Sequence, residues 1–398
     1  MGEVSQKDDS SFGEQYGSTR NTESKRPRDI KFLQQTLPTY YPVLNAGFIF
    51  PLFFVTSIIF IPLGIGIYFY AENIQELSIT YSNCRSTNVE HANATCEAVL
   101  DGVLYKTHRF PKTWHQHDEE EPRPPECQCR IDFELKTPMN GTVYIYYALT
   151  NFYQNHLRYY TNRDENQFKG GNLRKNEKDE EVAAEPSEYC KPERFRLDNW
   201  DRPILPCGLQ ANSMFFDVIK LSHWYNDEQD HFVPLLKTGI AWDSDKKKFN
   251  NPDKMDNPRD PVWSYFGKPP DWKKHIWELD SNRSNNGFEN EDFIIWMKTA
   301  AFPNFRKLHR IVDSQPNNSY SDGLPAGKYS LHIEYQMQIS TFNGTKSVIL
   351  TNSRMVAGKN YFLAAAFSIT GLILFILFVV FCAIHLFTKN RHVHFKRN

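Results

Sequence analysis

Two long stretches without charge frame this chain. One runs from Asn45 to Tyr70 (NAGFIFPLFFVTSIIFIPLGIGIYFY) and the other from Tyr361 to Phe387 (YFLAAAFSITGLILFILFVVFCAIHLF). A helix needs roughly 20 apolar residues to cross a hydrocarbon core about 30 Å thick, so each stretch predicts a transmembrane helix. Between them the pattern shortens. Ile74–Tyr81 is rich in β-branched and aromatic residues, and similar runs at Arg130–Leu135, Thr142–Leu149, Gly327–Ile339 and Lys346–Thr351 predict further strands. Asn343-Gly344, between the last two, has the composition of a hairpin turn. The first and last strands adjoin the two spans and are expected to pair with each other. Helical spacing returns over Glu291–Val312, where Phe293, Trp296, Met297, Ala300 and Ala301 share a face and Pro303 makes a break or bend. Glu119–Pro125 and 163–187 are charged and carry Pro or Gly, and read as surface loops. The pattern predicts a membrane protein with two transmembrane helices and a large, mainly β domain between them.

Charge sets the expected orientation. The net charge of -1 carries no message about nucleic acid, but its distribution is uneven. Lys25, Arg26, Arg28 and Lys31 precede the first span, and Lys389, Arg391, Lys396 and Arg397 follow the second. Basic residues close to span ends stay in the cytoplasm. Both tails are therefore expected there, with the middle facing the lumen or the exterior. The first span starts too late and is too long for the core of a cleaved signal peptide, and reads as an uncleaved anchor. The expected organisation is a cytoplasmic tail over 1–44, a span over 45–70, an extracytoplasmic domain over 71–360, a span over 361–387 and a basic cytoplasmic tail over 388–398. Within the first tail, residues 1–24 hold few large apolar side chains and are expected to be disordered. MGEVSQ at the start has Gln where a myristoylation signal wants Ser or Thr.

The middle domain has the chemistry of an oxidising compartment. It holds Cys84, Cys96, Cys127, Cys129, Cys190 and Cys207, while Cys382 lies in the second span as an expected free thiol. Cys127-Gln-Cys129, with His115, His117 and Asp118 upstream, could suggest a metal site. Structural zinc prefers a wider thiolate spacing, so disulfides are the better reading. Cysteines in a C-x-C rarely bond each other. Cys190 and Cys207 are near neighbours, which leaves Cys84 and Cys96 for Cys127 and Cys129, in nested or crossed order. Asn-x-Ser/Thr sequons stand at Asn93, Asn140, Asn282, Asn317 and Asn343, all in the middle and none in a tail; they are expected glycosylation sites.

Other candidates point away from catalysis. Asn282-Arg-Ser284-Asn-Asn286-Gly287 resembles half of a calcium loop, but Phe293 stands where a bidentate Glu is required, so a polar turn is expected. G-x-S-x-G, H-E-x-x-H and Walker patterns are absent from the sequence. His156, near Tyr153 and Arg158, reads as a hydrogen-bonded structural histidine. The spans carry no acidic or basic side chain that would mark an ion path, and His385 is expected at the interface. Leu372–Val380 is almost uniformly apolar, against the polar pore lining of the alternative, a two-span trimeric ligand-gated channel.

Several features suggest a membrane partner. Pro51 and Pro62 remove backbone donors inside the first span, and the freed carbonyls need neighbours. Gly64 and Gly66 follow, and Ala364, Ser368 and Gly371, with Ala366 and Thr370, give the second span a small-residue region that permits close helix approach. Arg26–Pro42, just before the first span, mixes bases, aromatics and prolines. It reads as an interfacial belt around Tyr40 and Tyr41, or as a docking segment.

Longer motifs then carry a resemblance. RPRDIKFLQQTLPTYYPVL, IFIPLGIGI, YYALTNFYQNHLRYYTNRDENQ, PCGLQANSMFFD, GIAWDSDKKKFNNP, NNGFENEDFIIWMKTAAFPNFRKL and LPAGKYSLHIEYQ occur in this order. Over most of 25–388 the chain resembles the Cdc50/Lem3 family, the non-catalytic β-subunits of type-IV P-type ATPase phospholipid flippases. The resemblance implies an extracytoplasmic domain of antiparallel β-sheets with long loops, disulfides and N-glycans. It fits the pairs Cys84–Cys129, Cys96–Cys127 and Cys190–Cys207. It implies a heterodimer with the ATPase α-subunit, contact with membrane phospholipids, and a need for this subunit in exit from the endoplasmic reticulum and in aminophospholipid translocation to the cytoplasmic leaflet. Golgi, endosomal or secretory-vesicle and plasma membranes are the expected destinations. No cofactor, metal or nucleic acid is implied, and the chain itself would not be an enzyme. Arg26, Arg28, Phe32, Gln34, Gln35 and Pro38 before the span, with Pro51, Pro62, Gly64 and Gly66 within it, become candidate partner contacts. The chain departs from the family in a longer Cys96–Cys127 interval and in Leu157, where a basic residue is usual.

Overall fold

The computed structural model describes residues 29–37, 46–88, 94–109, 127–178, 181–192, 194–195, 202–225, 229–252, 263, 265–316, 318–352, 359 and 361–395. Arg26, Arg28, Pro38, Tyr40, Tyr41, Asn93, Asn317, His115, His117, Asp118 and the loop expected at Glu119–Pro125 lie outside these residues. The helices are α1 (Ala46–Asn73), α2 (Cys96–Arg109), α3 (Leu157–Thr161) and α4 (Glu165–Phe168), followed by α5 (Leu209–Asn212), α6 (Asp243–Lys246), α7 (Glu291–Met297) and α8 (Phe362–Phe395). The first and last are long and apolar enough to cross a membrane, over Gly47–Asn73 and Phe362–Thr388. Helix α8 continues past the expected end of the span, so part of the basic tail is helical. The chain divides into two compact units, one containing the helix segments up to Ile59 and from Gly371, the other spanning Phe60–Thr370.

The early strands are β1 (Glu76–Thr80), β2 (Cys127–Leu135), β3 (Met139–Asn140), β4 (Tyr144–Leu149), β5 (Leu173–Lys175) and β6 (Glu181–Ala183). They are followed by β7 (Val218–Tyr225), β8 (Gln229–Phe232), β9 (Leu235–Leu236), β10 (Phe305–Val312), β11 (Gly323–Leu324), β12 (Gly327–Tyr335) and β13 (Lys346–Thr351). One sheet has the order β1-β13-β4-β10-β9 and another the order β2-β12-β7-β8, both antiparallel; β3–β11 and β5–β6 are small pairs. Strands β1 and β13 pair directly, Glu76 opposite Thr351, next to the entries of α1 and α8. Inward residues of both sheets, among them Ile145, Leu149, Val348, Leu350, Leu221, Leu331 and Ile333, share one hydrophobic core. Each is close to fully buried, so each methylene removed from water contributes about 0.8 kcal/mol.

Three sequence expectations fail here, each for a physical reason. The helix expected over Glu291–Val312 stops at Met297, and Phe305–Val312 forms β10 instead. Ladder bonding to β4 and β9 decides this, although the inward positions of β10 include Lys307 and His309, which disguise its alternation. The hairpin expected at Asn343-Gly344 is absent because β12 and β13 belong to different sheets. Asn343 is left-handed, at φ 49°, but it closes a 3-10 turn over Ser340–Phe342 on a crossover between the sheets. The surface loop expected over 163–187 contains α4 and the β5–β6 hairpin, and its Gln167 and Phe168 are buried.

Three disulfides brace the domain: Cys84–Cys129, Cys96–Cys127 and Cys190–Cys207. The first two are nested, and because their thiols are spent in sulfur–sulfur bonds, the C-x-C offers no thiolate to a metal. Cys382 is unbonded. The Asn282 turn is polar: its side chain accepts from Ser284 N at 3.1 Å, while Asn286 Nδ2 donates to the Trp277 carbonyl at 2.6 Å.

Candidate partner-facing surfaces and the frame behind them

The two long helices pair through aromatic and small residues. Phe50 meets His385, Phe53 meets Phe381 and Phe54 meets Phe378, with ring centroids 5.7, 6.1 and 4.9 Å apart. Nearer the sheet-bearing domain, Phe60 packs on Phe367 at 5.2 Å and Tyr68 on Tyr361 at 5.6 Å. Gly64 lies inside this pairing. A methyl there would stand 2.3 Å from Ser368 Oγ and 2.9 Å from the Ala364 carbonyl oxygen, so the small residues of both helices serve contact within the chain. At the end of the pair, the Tyr361 hydroxyl donates to Glu72 at 2.7 Å.

Away from these contacts α1 is open. Pro51, Val55 and Ile58 are exposed in the one unit; in the other, Pro62, Ile65 and Phe69 are exposed, and a methyl on Gly66 would meet nothing within 4 Å. Pro62 has no N–H to donate to the Ile58 carbonyl, so the regular i→i−4 bond is missing at this point of the helix. Pro51, Pro62 and Gly66 are thus open, whereas Gly64 is closed against α8. Before the span, Phe32 and Gln35 are exposed on a turn over 31–35 and Gln34 is half-buried; Gln35 has φ 54°.

In the β domain, several polar residues of the longest motifs are buried and serve the backbone. Asn162 donates through Nδ2 to the Lys191 carbonyl and accepts from Leu209 N at 2.7 Å. Asp164 accepts from Asn166 N and Ser187 N, and Gln167 donates to the Ile204 carbonyl while accepting from Cys207 N at 2.9 Å. These side chains replace ladder bonds for the irregular segment that holds the Cys190–Cys207 bridge, whose backbone would otherwise be buried without partners. Glu291 does the same at the start of α7. It accepts from Gly239 N, Ile240 N, Ala241 N and Lys246 Nζ at 2.7–3.0 Å. Burial raises the Glu291 carboxyl, but these donors outweigh it and hold the group below the usual carboxylate range.

The crossover from β12 to β13 is fastened by a buried ion pair. Lys346 Nζ and Asp217 Oδ2 are 2.5 Å apart and both side chains are fully buried. Asp217 also accepts from the Tyr81 hydroxyl and from Gln336 N and Met337 N. Lys346 sits 3.2 Å from the centre of the Tyr335 ring, and the Tyr335 hydroxyl donates to Glu97 on α2. Glu97 in turn accepts from Ile339 N and Ser340 N. Burial lowers the Lys346 ammonium and Asp217 opposes that shift.

The same motifs also expose large apolar side chains: Tyr153, Leu157 and Phe302 are 56%, 72% and 73% exposed, and Trp242 is 55% exposed. His156 is exposed too and its side chain makes no cap bond, so the structural role expected for it is not seen. Sequence reasoning missed the inward role of Asn162, Asp164, Gln167, Glu291 and Lys346. Dense Asn, Asp and Gln beside irregular aromatic-rich segments is the signal that could have found the first three.

Two long apolar helices and a disulfide-braced, two-sheet β domain define a two-span membrane protein with a large domain outside the bilayer. The chain belongs to the LEM3 (ligand-effect modulator 3)/CDC50 family, whose model matches residues 67–391. It is 39% identical over 370 residues to cell cycle control protein 50A of Bos taurus, covering 93% of this chain and 91% of the relative. Its identity to cell cycle control protein 50B of Homo sapiens is 34% over 348 residues, with 87% and 90% covered. It is also similar to the phospholipid-transporting ATPase accessory subunit CRF1 of Saccharomyces cerevisiae, at 31% identity over 377 residues, with 92% and 88% covered.

Proposed function

We propose that this chain is the accessory β-subunit of a phospholipid-translocating P-type ATPase. The observation that carries this reading is similarity over 92% of this chain to a yeast protein named as such a subunit, within a shared family. The ATPase binds ATP and moves the lipid; this chain supplies no catalytic group. The open Pro51, Pro62 and Gly66 of α1 pack on the ATPase membrane domain, and the basic segment holding Arg26, Arg28, Phe32, Gln34, Gln35 and Pro38 meets its cytoplasmic side. The β domain faces the lumen or exterior with Asn93, Asn140, Asn282, Asn317 and Asn343 as glycan acceptors, and both tails are cytoplasmic, as the basic flanks favour. The subunit promotes exit from the endoplasmic reticulum and stabilises particular states of the transport cycle by differential binding. It acts in aminophospholipid translocation in Golgi, endosomal or plasma membranes. Co-purification in mild detergents tests this: a P-type ATPase is expected in the isolated complex, and its consistent absence would overturn the reading.

A further inference from the structure

At the end of the five-stranded sheet remote from α1 and α8, three segments lie side by side. Residues 342–345 precede β13, 150–155 follow β4, and 300–304 precede β10. Hydrogen bonds lace them in that order. Thr150 N donates to the Thr345 carbonyl and Asn151 Nδ2 to the Phe342 carbonyl; Phe152 N donates to the Pro303 carbonyl and Asn155 Nδ2 to that of Ala301. The outer segments are therefore two strand spacings apart, about 10 Å. The middle and far segments expose Tyr153 and Phe302, while the near one carries the sequon Asn343-Gly344-Thr345. Asn343 is exposed and left-handed, at φ 49°. The turn bearing it is firmly seated: a methyl on Gly344 would stand 2.4 Å from the Thr150 carbonyl oxygen, and Phe152 packs edge-on against Phe342 at 5.0 Å.

We infer that the N-glycan on Asn343 folds back across residues 151–153 and covers the Tyr153–Phe302 patch with the apolar faces of its first two N-acetylglucosamine rings. Three observations support this occupant. The sequon's segment is hydrogen-bonded to the one that bears Tyr153, a chitobiose core spans about the width of the three segments, and a sugar's C–H face suits the negative face of an aromatic ring. The seated turn leaves the acceptor little freedom to swing away. Asn140 provides an internal comparison: it is also exposed, but its strand partner is Gly323, which offers no side chain for a sugar to cover.

The inference rests on the lumenal placement proposed above, and glycosidase release from the native full-length protein tests it. The protein is purified without its ATPase from a eukaryotic host, and site-resolved mass spectrometry follows release at Asn343 and Asn140. If cleavage requires the glycan to lift off, Asn343 should be released about tenfold more slowly than Asn140, reflecting a minor open population. Tyr153→Ser combined with Phe302→Ser should bring the two rates together. Asn343→Gln, which leaves the patch intact, should speed amide exchange over 150–155 and 300–304. Equal rates in the parent protein, no response to the double variant, or protection found only with the ATPase bound would each overturn the inference, the last by making the ATPase the occupant. An unoccupied Asn343 beside other occupied sequons overturns this inference alone. Absence of glycan from every sequon would also remove the lumenal placement.

Discussion

His309 shows how one inward side chain can make a domain sensitive to pH. It is buried on β10 edge-on against the stacked Tyr147–Phe215 pair, with ring centroids 6.0 and 6.1 Å away, and its Nε2 has no hydrogen-bond partner among the described residues. Asp292 approaches Nδ1 only to 3.8 Å and is engaged by Arg310 at 2.6 Å. Burial, then Arg310 and Lys237, push the His309 imidazole well below its ordinary value of 6.5. The folded state therefore resists a proton that the unfolded chain accepts near pH 6.5. Stability is full above that pH and falls below it, by up to about 1.4 kcal/mol for each pH unit until the folded group titrates. Thermal unfolding from pH 7.5 to 5 should show this slope, and His309→Phe should flatten it. Glu291 acts in the same direction in a lower window: its depressed carboxyl stabilises above the unfolded value of 4.5 and loses that effect as pH falls further. The Lys346–Asp217 pair gives a second residue-scale prediction. Lys346→Met leaves a buried carboxylate with only neutral donors and should cost about 3 kcal/mol, near the low end for a broken buried pair. Adding Asp217→Asn should recover part of the lost melting temperature.

At the scale of elements, the two faces of α1 make opposite predictions. Gly64→Leu should push α8 away and lower the stability of the isolated subunit, because the nearest atoms at that site include the backbone of α8. A Cβ at Gly66 meets no described atom within 4 Å. Gly66→Leu should leave the isolated subunit unchanged and reduce recovery of the ATPase in detergent by about tenfold, if it costs about 1.4 kcal/mol of helix packing. Equal recovery would move the partner contact off this face. Strand β10 carries the lesson about legibility. Its FRKLHRIV sequence places Lys307 and His309 inward, so an alternation that usually reads polar-out misleads here. Lys307 is tolerated because its ammonium donates to the Trp296 and Lys298 carbonyls at 2.7 Å, closing the end of α7. Burial lowers this ammonium well below its usual value. Such compensation depends on residues distant from the strand's own pattern.

Across the whole molecule, sheet order and side-chain bonding to irregular backbone hold the β domain together. The short loop closed by Cys190–Cys207 should be worth about 3 kcal/mol, so Cys190→Ala with Cys207→Ala should lower the melting temperature of the full-length protein. The sequence by itself determined the spans, the β1–β13 closure beside them and the cysteines available for bridging. Each follows from local apolar length, strand composition or compartment chemistry. Only the tertiary structure decided that β12 and β13 part into different sheets and that Asn162, Asp164, Gln167 and Glu291 point inward. It also decided which glycine of α1 belongs to the chain's own helix pair. Those outcomes depend on which distant groups meet, and a one-dimensional pattern does not encode the partner that satisfies a buried carbonyl or ammonium.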